Sequence, residues 1–348
     1  MTDNIDDTGT IARSFLALLR RRVGAPHLEY AGSPERIPGG YDTRIFAFAL
    51  RGAPPELSGP LILRLYRPDT DPSRAPAEAA IHRTVAGLGY PCPPALLVGD
   101  ASDGLAGGFL VLPRVPGHVL LEESWGPGLL RMPAMLARLH AALHALDPAP
   151  LRRALASAGV ATARLRTDTG LEDVAQEVAA ARLDGLRPVL DWLVANRPPA
   201  SPAAVMCHGD FHPLNVLVEN GRVTGVIDWA NLRFGEAAYD VGATIALLSH
   251  GPVDAPFGLH RVVGIARRYL VTAYRRTYLR RHPLSLDRLR YYEALRTVGF
   301  VVEAGVHHRA AAGAIPPRSK PSAFVSPPVL ASALRRVREL TGVTPRLA

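Results

Sequence analysis

Short strand-like runs dominate the first third of the chain. Apolar and β-branched residues cluster in runs bounded by Pro, Gly and Asp, a pattern typical of short strands. These runs lie around residues 28–30, 44–50, 61–66, 94–100 and 108–115. Helical spacing of apolar residues predicts one helix before the first run and another, over 75–88, after the third. The pattern predicts a small α+β unit built mainly from antiparallel strands.

The pattern changes after Pro116 and Gly117. Beyond this point apolar residues recur at helical spacing, interrupted by two short strand-like runs at 216–218 and 223–227. The segments with helical spacing are 128–146, 171–196, 258–281, 287–309 and 327–341. The sequence therefore predicts an α+β, bilobal chain. Its expected parts are a strand-rich N-terminal lobe (1–112), a connector (113–117) and a mostly helical C-terminal lobe (118–348).

Composition and charge narrow the class of protein. Of the 348 residues, 48% are hydrophobic and 20% charged, which indicates a globular protein rather than a disordered one. The formal net charge is +9, and arginine supplies nearly all of the positive charge because Lys320 is the only lysine. The basic residues are dispersed and are not interleaved with aromatic residues, so we expect no nucleic-acid partner.

Cysteine usage and hydropathy indicate the cellular compartment in which the protein is expected. Cys92 and Cys207 are far apart and show no metal-like spacing, so neither a disulfide framework nor a metal site is expected from them. The first ten residues are polar and acidic, unlike a signal peptide, and no apolar run is long enough to span a membrane. The sequence predicts a cytoplasmic protein with no membrane partner. Its oligomeric state stays open.

The segment HGDFHPLNVLVENGRVTGVIDWA, residues 208–230, concentrates the polar chemistry of the chain. Its Asn-Gly pair at 220–221 separates two strand-like runs and predicts a two-residue hairpin loop. In such a hairpin Asn215 would face Val226, and Asp228 would be its diagonal neighbour on the same face. An amide oxygen and a carboxylate at that spacing could share one hard cation such as Mg²⁺.

The form HGDxHxxN…IDW resembles the aminoglycoside phosphotransferase and choline kinase family of small-molecule kinases. These enzymes have a protein-kinase-like fold, so the resemblance implies that fold together with ATP and Mg²⁺ as cofactors. It implies that Asp210 is the catalytic base or hydroxyl-orienting group and that Asn215 and Asp228 bind Mg²⁺. His208 would hold the catalytic loop. Asp240, in the family-like segment GEAAYDVGA, would be a buried brace for that loop.

The kinase resemblance also requires a cation that contacts the ATP phosphates. Such a cation lies on a central strand of the N-terminal lobe, with a glutamate from the next helix holding it. The run LILRLY offers only Arg64, and the helix that follows offers Glu78. The family normally has lysine at this position, and arginine is longer and planar, so the exchange is not conservative.

Two further segments resemble nucleotide-binding parts of the family. Gly39 and Gly40 lie in PGGYDTRIFAF, which is similar to the glycine loop over the phosphates, where the backbone approaches closely. GFLVLPRVPG is similar to the connector that binds adenine through its backbone. There the carbonyl of Pro113 and the N–H of Val115 would be the acceptor and the donor.

These features predict an ATP- and Mg²⁺-dependent phosphotransferase that moves the γ-phosphoryl group to a hydroxyl of a small molecule. One alternative is an ATP-binding, catalytically weak homologue with a regulatory role, since arginine replaces the usual lysine. A nucleic-acid-binding protein is the less favoured alternative. The acceptor stays open among antibiotics, sugars and amino alcohols. The arginine-rich segment 267–296 counts mildly against a polycation, because its only acidic residues are Asp287 and Glu293.

Overall fold

The computed structural model describes residues 5–38, 43–124, 128–162, 165–167, 170–199, 204–251, 260–316 and 324–347. The chain forms two compact units, both discontinuous in sequence. The first unit comprises Met1–His118, Ala149–Thr162 and Val216–Ala230, and the second comprises Val119–Pro148, Ala163–Asn215 and Asn231–Ala348.

Six strands of the first unit form one antiparallel sheet in the order β1-β3-β4-β6-β5, with β2 beside β3, while β9 and β10 pair with each other in a separate sheet. Strand β2 was not predicted, because three residues are too few to show alternation. The strands in the described chain are β1 (Glu29–Tyr30), β2 (Glu35–Ile37), β3 (Thr43–Arg51), β4 (Pro60–Tyr66), β5 (Leu97–Gly99), β6 (Phe109–Pro113), β7 (His118–Val119), β8 (Val205–Cys207), β9 (Val216–Glu219), β10 (Arg222–Val226) and β11 (Arg233–Gly235).

Helices make up most of the second unit, so the predicted α+β class, with an antiparallel sheet and a mostly helical remainder, is confirmed. The helices in the described chain are α1 (Ile5–Val23), α2 (Arg74–Gly87), α3 (Gly128–His144), α4 (Ala149–Ser157), α5 (Gly170–Ala180), α6 (Arg187–Ala195), α7 (Ala237–His250), α8 (His260–Arg281), α9 (Leu286–Ala311) and α10 (Pro327–Thr341). Among the described residues, no helix combines the length and apolarity that crossing a membrane requires.

Three differences from the predicted helices have local causes. The segment predicted as one helix over 171–196 is two helices, α5 and α6, separated at Arg182, whose φ of 51° lies outside the helical region. Helix α4 was missed because its second residue is Pro150, which the first turn of a helix tolerates. Helix α7 was missed because most of its residues are buried, so it shows no polar face and no amphipathic period.

Aromatic side chains form the core of the first unit between α1 and the sheet. Phe15 of α1 packs edge-on against Phe48 of β3 and Phe109 of β6, with ring centroids 5.5 and 5.7 Å apart. All three rings are buried. Edge-to-face pairs of this kind add to the stability that burial of the rings supplies. The amphipathic stripe of α1 is therefore explained by its position on the sheet.

The predicted hairpin between β9 and β10 is present. Asn220 and Gly221 both have positive φ, 51° and 71°, as a type I′ turn requires. The two residues that flank them, Glu219 and Arg222, pair as expected. The Asn-Gly signal therefore fixed the turn type correctly.

The register further along this hairpin differs from the prediction. A β-bulge between Val223 and Gly225 shifts the pairing by one residue, so Val226 faces Val216. The prediction that Val226 faces Asn215 is therefore wrong. The argument that made Asn215 and Asp228 diagonal neighbours assumed unbroken pairing along the hairpin, so it fails as well.

Contacts with the connector account for the bulge. The hydroxyl of Thr224, the extra residue, donates to the carbonyl of Pro116 over 2.7 Å. A Cβ on Gly225 would lie 2.9 Å from a methyl group of Val115, so only glycine fits this close approach. Both contacts are made by residues distant in sequence, and for that reason local pairing rules did not predict the bulge.

Candidate active site

Arg64 and Glu78 form an ion pair within the first unit. Strand alternation places Leu63 and Leu65 in the core against α1, and therefore Arg64 on the opposite face of β4. Arg64 Nη1 lies 3.0 Å from Glu78 Oε2 on α2. Arg74, one turn earlier on α2, approaches the other carboxylate oxygen of Glu78 within 3.0 Å. The predicted partners therefore meet, and Arg74 is a second cation that the sequence analysis missed.

The Arg64 guanidinium retains hydrogen-bonding capacity after this pairing. Its Nε is buried and has no hydrogen-bond partner among the described residues. Although burial opposes the charge, Glu78 and Asp228 raise the pKa of Arg64, so the guanidinium stays charged. A buried donor without a partner costs free energy, which a bound anion would relieve. Arg64 is therefore suited to a phosphate.

Asp228 lies beside this cation in the same unit. Its Oδ1 is 4.0 Å from Arg64 Nη2, and 46% of its side chain is exposed. Its φ of 63° is a left-handed conformation that aspartate tolerates better than most residues. The next residue, Trp229, fixes the segment: its ring is buried edge-on against Tyr90, and its Nε1–H donates to the carbonyl of Val226. The carboxylate is thus accessible on a fixed backbone.

Asp240 holds the backbone of the loop that precedes Asp210, in the second unit. Its Oδ2 accepts the N–H of His208, and its Oδ1 accepts the N–H of Gly209 over 2.8 Å. Gly209 has a φ of 80°, and a Cβ there would lie 2.2 Å from the carbonyl oxygen of Asn231. Glycine is therefore required immediately before Asp210. These contacts place the predicted supports, His208 and Asp240, next to the predicted catalytic residue.

Asp210 is part-buried, and its carboxylate is flanked by the side chains of His212, Arg296 and Asn215. The N–H of Leu214 donates to Nδ1 of His212, and Nε2 of the same ring lies 3.3 Å from Asp210 Oδ2. Arg296 Nη2 on α9 lies 3.7 Å from Asp210 Oδ1. Burial alone would raise the pKa of Asp210, but His212 and Arg296 together bring it below its ordinary value. The carboxylate is therefore ionised at neutral pH.

Asn215 is tied to the same loop through its amide nitrogen. Nδ2 donates to the main-chain carbonyl of Asp210 over 2.9 Å, and the Asn215 N–H donates to the carbonyl of His212. These bonds fix the orientation of the planar amide. Neither bond uses its amide oxygen, which is a ligand atom that Mg²⁺ accepts.

Behind the loop, two histidines and two tyrosines converge on the Asp240 carboxylate. The Nε2 atoms of His140 and His144 lie 2.9 and 3.2 Å from Asp240 Oδ2. Their Nδ1 atoms lie 2.7 and 2.6 Å from the hydroxyls of Tyr274 and Tyr278 on α8. All five side chains are buried. Burial, with a smaller contribution from His144, lowers the pKa of His140 to about 4, so its ring is neutral.

This buried cluster has the residue types of a metal site, since the ligand atoms of His140, His144 and Asp240 all lie within 4.8 Å of one another. Hydrogen bonds nevertheless account for every group. Each ring can donate Nε2–H to the carboxylate and accept the tyrosine O–H at Nδ1. With two backbone N–H donors as well, the carboxylate has four partners, which balances the cost of its burial. The cluster is therefore a hydrogen-bond network.

The other predicted residues are placed as follows. Gly39 and Gly40 lie outside the described residues. Pro113 ends β6 opposite Leu61, and the side chain of Val115 packs against the hairpin. The contribution of their backbone groups to adenine binding stays a prediction.

The sequence analysis missed the histidine pair and Arg296. The equal i, i+4 spacing of His140 with His144 and of Tyr274 with Tyr278 was a usable signal, because such residues share one helix face. Arg296 carried no comparable signal, since it is one of many arginines in its segment.

This chain is similar in sequence to known phosphotransferases. The model of the family described as phosphotransferase enzyme family matches residues 33–284. An aminoglycoside 3'-phosphotransferase from Streptomyces fradiae is 31% identical over 265 residues, which cover 70% of this chain and 92% of the relative.

Solved structures show the same fold. A provisionally assigned aminoglycoside phosphotransferase from Ralstonia eutropha has a TM-score of 0.65 at 18% identity, over 94% of this chain and 95% of the other. The aminoglycoside phosphotransferase APH(4)-Ia, solved in complex with AMP-PNP and hygromycin B, has a TM-score of 0.54 at 21% identity, over 94% and 98%. The expected kinase-like fold of such enzymes is thereby confirmed.

Proposed function

This chain belongs to the phosphotransferase enzyme family, whose relatives phosphorylate small molecules, and we propose that it transfers the γ-phosphoryl group of ATP to a small-molecule hydroxyl. The single observation that carries this proposal is the anchored Asp210. Its loop is held by a buried carboxylate, and its own carboxylate is ionised and part-exposed. A loop fixed in this way supplies the positioning on which phosphoryl transfer depends.

ATP is the proposed donor. The similar protein APH(4)-Ia was solved with AMP-PNP, a nucleotide analogue. In this chain the charged guanidinium of Arg64, held by Glu78, has donors to spare for phosphate oxygens. We assign nucleotide binding to the N-terminal lobe (1–112) and the connector (113–117), with Gly39 and Gly40 near the phosphates and Pro113 and Val115 at the adenine. The lobe 118–348 then supplies the acceptor side.

Mg²⁺ is the proposed metal, and the available oxygen atoms suit it. Asn215 offers an amide oxygen whose orientation the loop fixes, and Asp228 offers an exposed carboxylate. Hard oxygen donors of this kind, completed by water and phosphate, are what Mg²⁺ prefers. When bound, the ion would neutralise negative charge on the phosphates. His208 and Asp240 support the loop and touch no reactant.

Asp210 orients the acceptor hydroxyl and receives its proton. Its pKa lies below the ordinary value, so it is a weak base that accepts the proton late, as the new O–P bond forms and the bond to ADP breaks. Late proton transfer is compatible with a loose transition state, in which the nucleophile gains little charge early. Orientation is therefore the larger contribution of Asp210.

The alternative is a catalytically weak, ATP-binding homologue with a regulatory role. The observation that suggests this alternative is Arg64, which stands where the family normally has lysine. The intact ion pair with Glu78 and the braced catalytic loop support the active enzyme instead. The near absence of lysine also explains the exchange as a composition bias.

The test is a screen of hydroxylated antibiotics, sugars, amino alcohols and hydroxy acids with γ-labelled ATP and Mg²⁺, read by mass spectrometry. We expect label on at least one acceptor with the wild-type protein and none with Asp210→Asn, which keeps the shape of the side chain. Stabilisation by Mg-ATP without transfer to any acceptor would favour the regulatory alternative. Transfer by Asp210→Asn at the wild-type rate would exclude the assigned role.

A further inference from the structure

Arg296 lies beside the proposed catalytic carboxylate and is only loosely engaged by it. The 3.7 Å separation between its Nη2 and Asp210 Oδ1 is longer than a direct charged hydrogen bond. The guanidinium stacks over the ring of Phe300, 5.0 Å from the centroid, and its Nε is buried without a hydrogen-bond partner among the described residues. Its side chain is 38% exposed. The Arg296 guanidinium is thus held in place by Phe300, and at least its Nε–H is not used in a hydrogen bond among the described residues.

Two acidic residues of the second unit, Glu236 and Glu293, are already paired with arginines. Glu236 binds Arg288 over 2.6 Å and also accepts the hydroxyl of Tyr292. Glu293, one helical turn from Arg296 on α9, is buried and binds Arg336 over 2.7 Å. A polycationic acceptor needs carboxylates that are free to pair with it.

A second arginine acts on the same region. Burial raises the pKa of the Tyr239 phenol, and the charges of Arg296 and Arg233 partly oppose that rise. Tyr239 immediately precedes Asp240, and Arg233 begins β11. Arg296 thus places a positive charge beside Asp210, and a positive charge attracts anions.

Building on the proposed function, we propose that the acceptor is an anionic alcohol, with a carboxylate or phosphate a few bonds from its reactive hydroxyl. The hydroxyl binds Asp210 while the anionic group pairs with Arg296. Arginine recognises carboxylates and phosphates through paired hydrogen bonds, which its unused donors allow. The short distance between Asp210 and Arg296 requires a short spacer in the acceptor. Arg296 is accordingly a specificity-determining residue.

The test compares three alcohols of equal length with Mg-ATP: 3-hydroxypropanoate, 3-hydroxypropanamide and 3-amino-1-propanol. They carry a negative, a neutral and a positive group at the same place. For the wild-type protein we expect kcat/KM, measured by label transfer, to be roughly tenfold or more higher for the carboxylate than for the amide, with the amine lowest. Repeating the series with 3-hydroxypropyl phosphate distinguishes a phosphate from a carboxylate as the favoured anion.

The variant Arg296→Gln should lower kcat/KM for the anionic alcohols more than for the amide and the amine, so that the roughly tenfold preference for the carboxylate over the amide disappears. Arg276→Gln, which removes an exposed arginine of α8, is the matched control and should behave as the wild type.

Equal losses of kcat/KM on all three alcohols would assign Arg296 to the transferred phosphoryl group and overturn the proposal. So would a wild-type protein that shows no preference for the anions, including one that phosphorylates none of these probes. Failure of the proposed function is distinguished by the broad screen, in which no acceptor of any charge would be labelled.

Discussion

The Asp240 carboxylate accepts the backbone N–H of Gly209 over 2.8 Å, one residue before Asp210. The carboxylate is completely buried and receives further hydrogen bonds from His208 N–H and from the two histidines of α3. Interactions with these histidines outweigh the effect of burial and keep the pKa of Asp240 well below its ordinary value. A charged group deep in the helical unit thus sets the position of the proposed catalytic group at its surface.

Gly209→Ala should displace this loop. The added Cβ would meet the main chain of Asn231 at 2.2 Å, and the residue would keep a φ of 80°, which alanine disfavours. We expect a loss of roughly 2 kcal/mol or more in the free energy of unfolding, by chemical denaturation, and a loss of phosphoryl transfer of at least about tenfold. The control is Gly313→Ala, since a Cβ there meets nothing within 4 Å although φ is also positive. Equal effects of the two substitutions would contradict the assigned close approach.

Acidification should destabilise the protein through His140. Its pKa falls from an ordinary 6.5 to about 4 on folding, so between these values the unfolded chain binds more protons than the folded one. Stability therefore falls as pH decreases from about 6.5 towards 4. Protonation of His140 in the unfolded chain should by itself lower the free energy of unfolding by about 2 kcal/mol at pH 5 relative to pH 7.

The matched variant for this pH effect is His140→Gln, whose Nε2 can still donate to Asp240 but does not titrate. Its unfolding free energy, measured against pH, should fall less steeply than that of the wild type between pH 7 and 5. His250, with a pKa also lowered to about 4 by burial and nearby arginines, contributes equally to both proteins. Parallel curves for the two proteins would show that His140 does not titrate as described.

Arg64→Ala should weaken nucleotide binding more than it affects the fold. The substitution removes the guanidinium with the spare donors and leaves Arg74 to pair with Glu78. We expect a Kd for AMP-PNP raised roughly tenfold or more, by calorimetry. Arg67→Ala, at an exposed arginine just after β4, is the control and should bind normally. An unchanged affinity in Arg64→Ala would place this residue outside the nucleotide site.

Asp228→Asn should raise the Mg²⁺ concentration needed for transfer. The substitution keeps an oxygen ligand but removes its charge, and a half-exposed residue contributes little to the fold. The measurement is a Mg²⁺ titration of label transfer at fixed ATP, with thermal unfolding as the control for the fold. If the half-saturating Mg²⁺ concentration equalled that of the wild type, Asp228 would have to be removed from the proposed ligands.

Local sequence signals worked wherever one element decides the outcome. Alternation along LILRLY put Arg64 on one face of a strand, and Asn220-Gly221 fixed a tight turn. The same signals failed at the bulge beside Gly225, where the side chain of Val115 approaches the backbone. They also failed for α7, because a helix buried on all sides has no amphipathic period.

By itself the sequence determined the reaction class and the residues proposed to carry it. Fixed spacings in the segment that starts at His208 reflect chemistry within one short stretch of chain, where distance along the sequence limits distance in space. Tertiary structure alone decided what surrounds Asp210. Arg296 lies 3.7 Å from it, and the network behind its loop joins His140, Tyr274 and Asp240. These residues come from separate helices, and only packing of those helices brings their side chains close together.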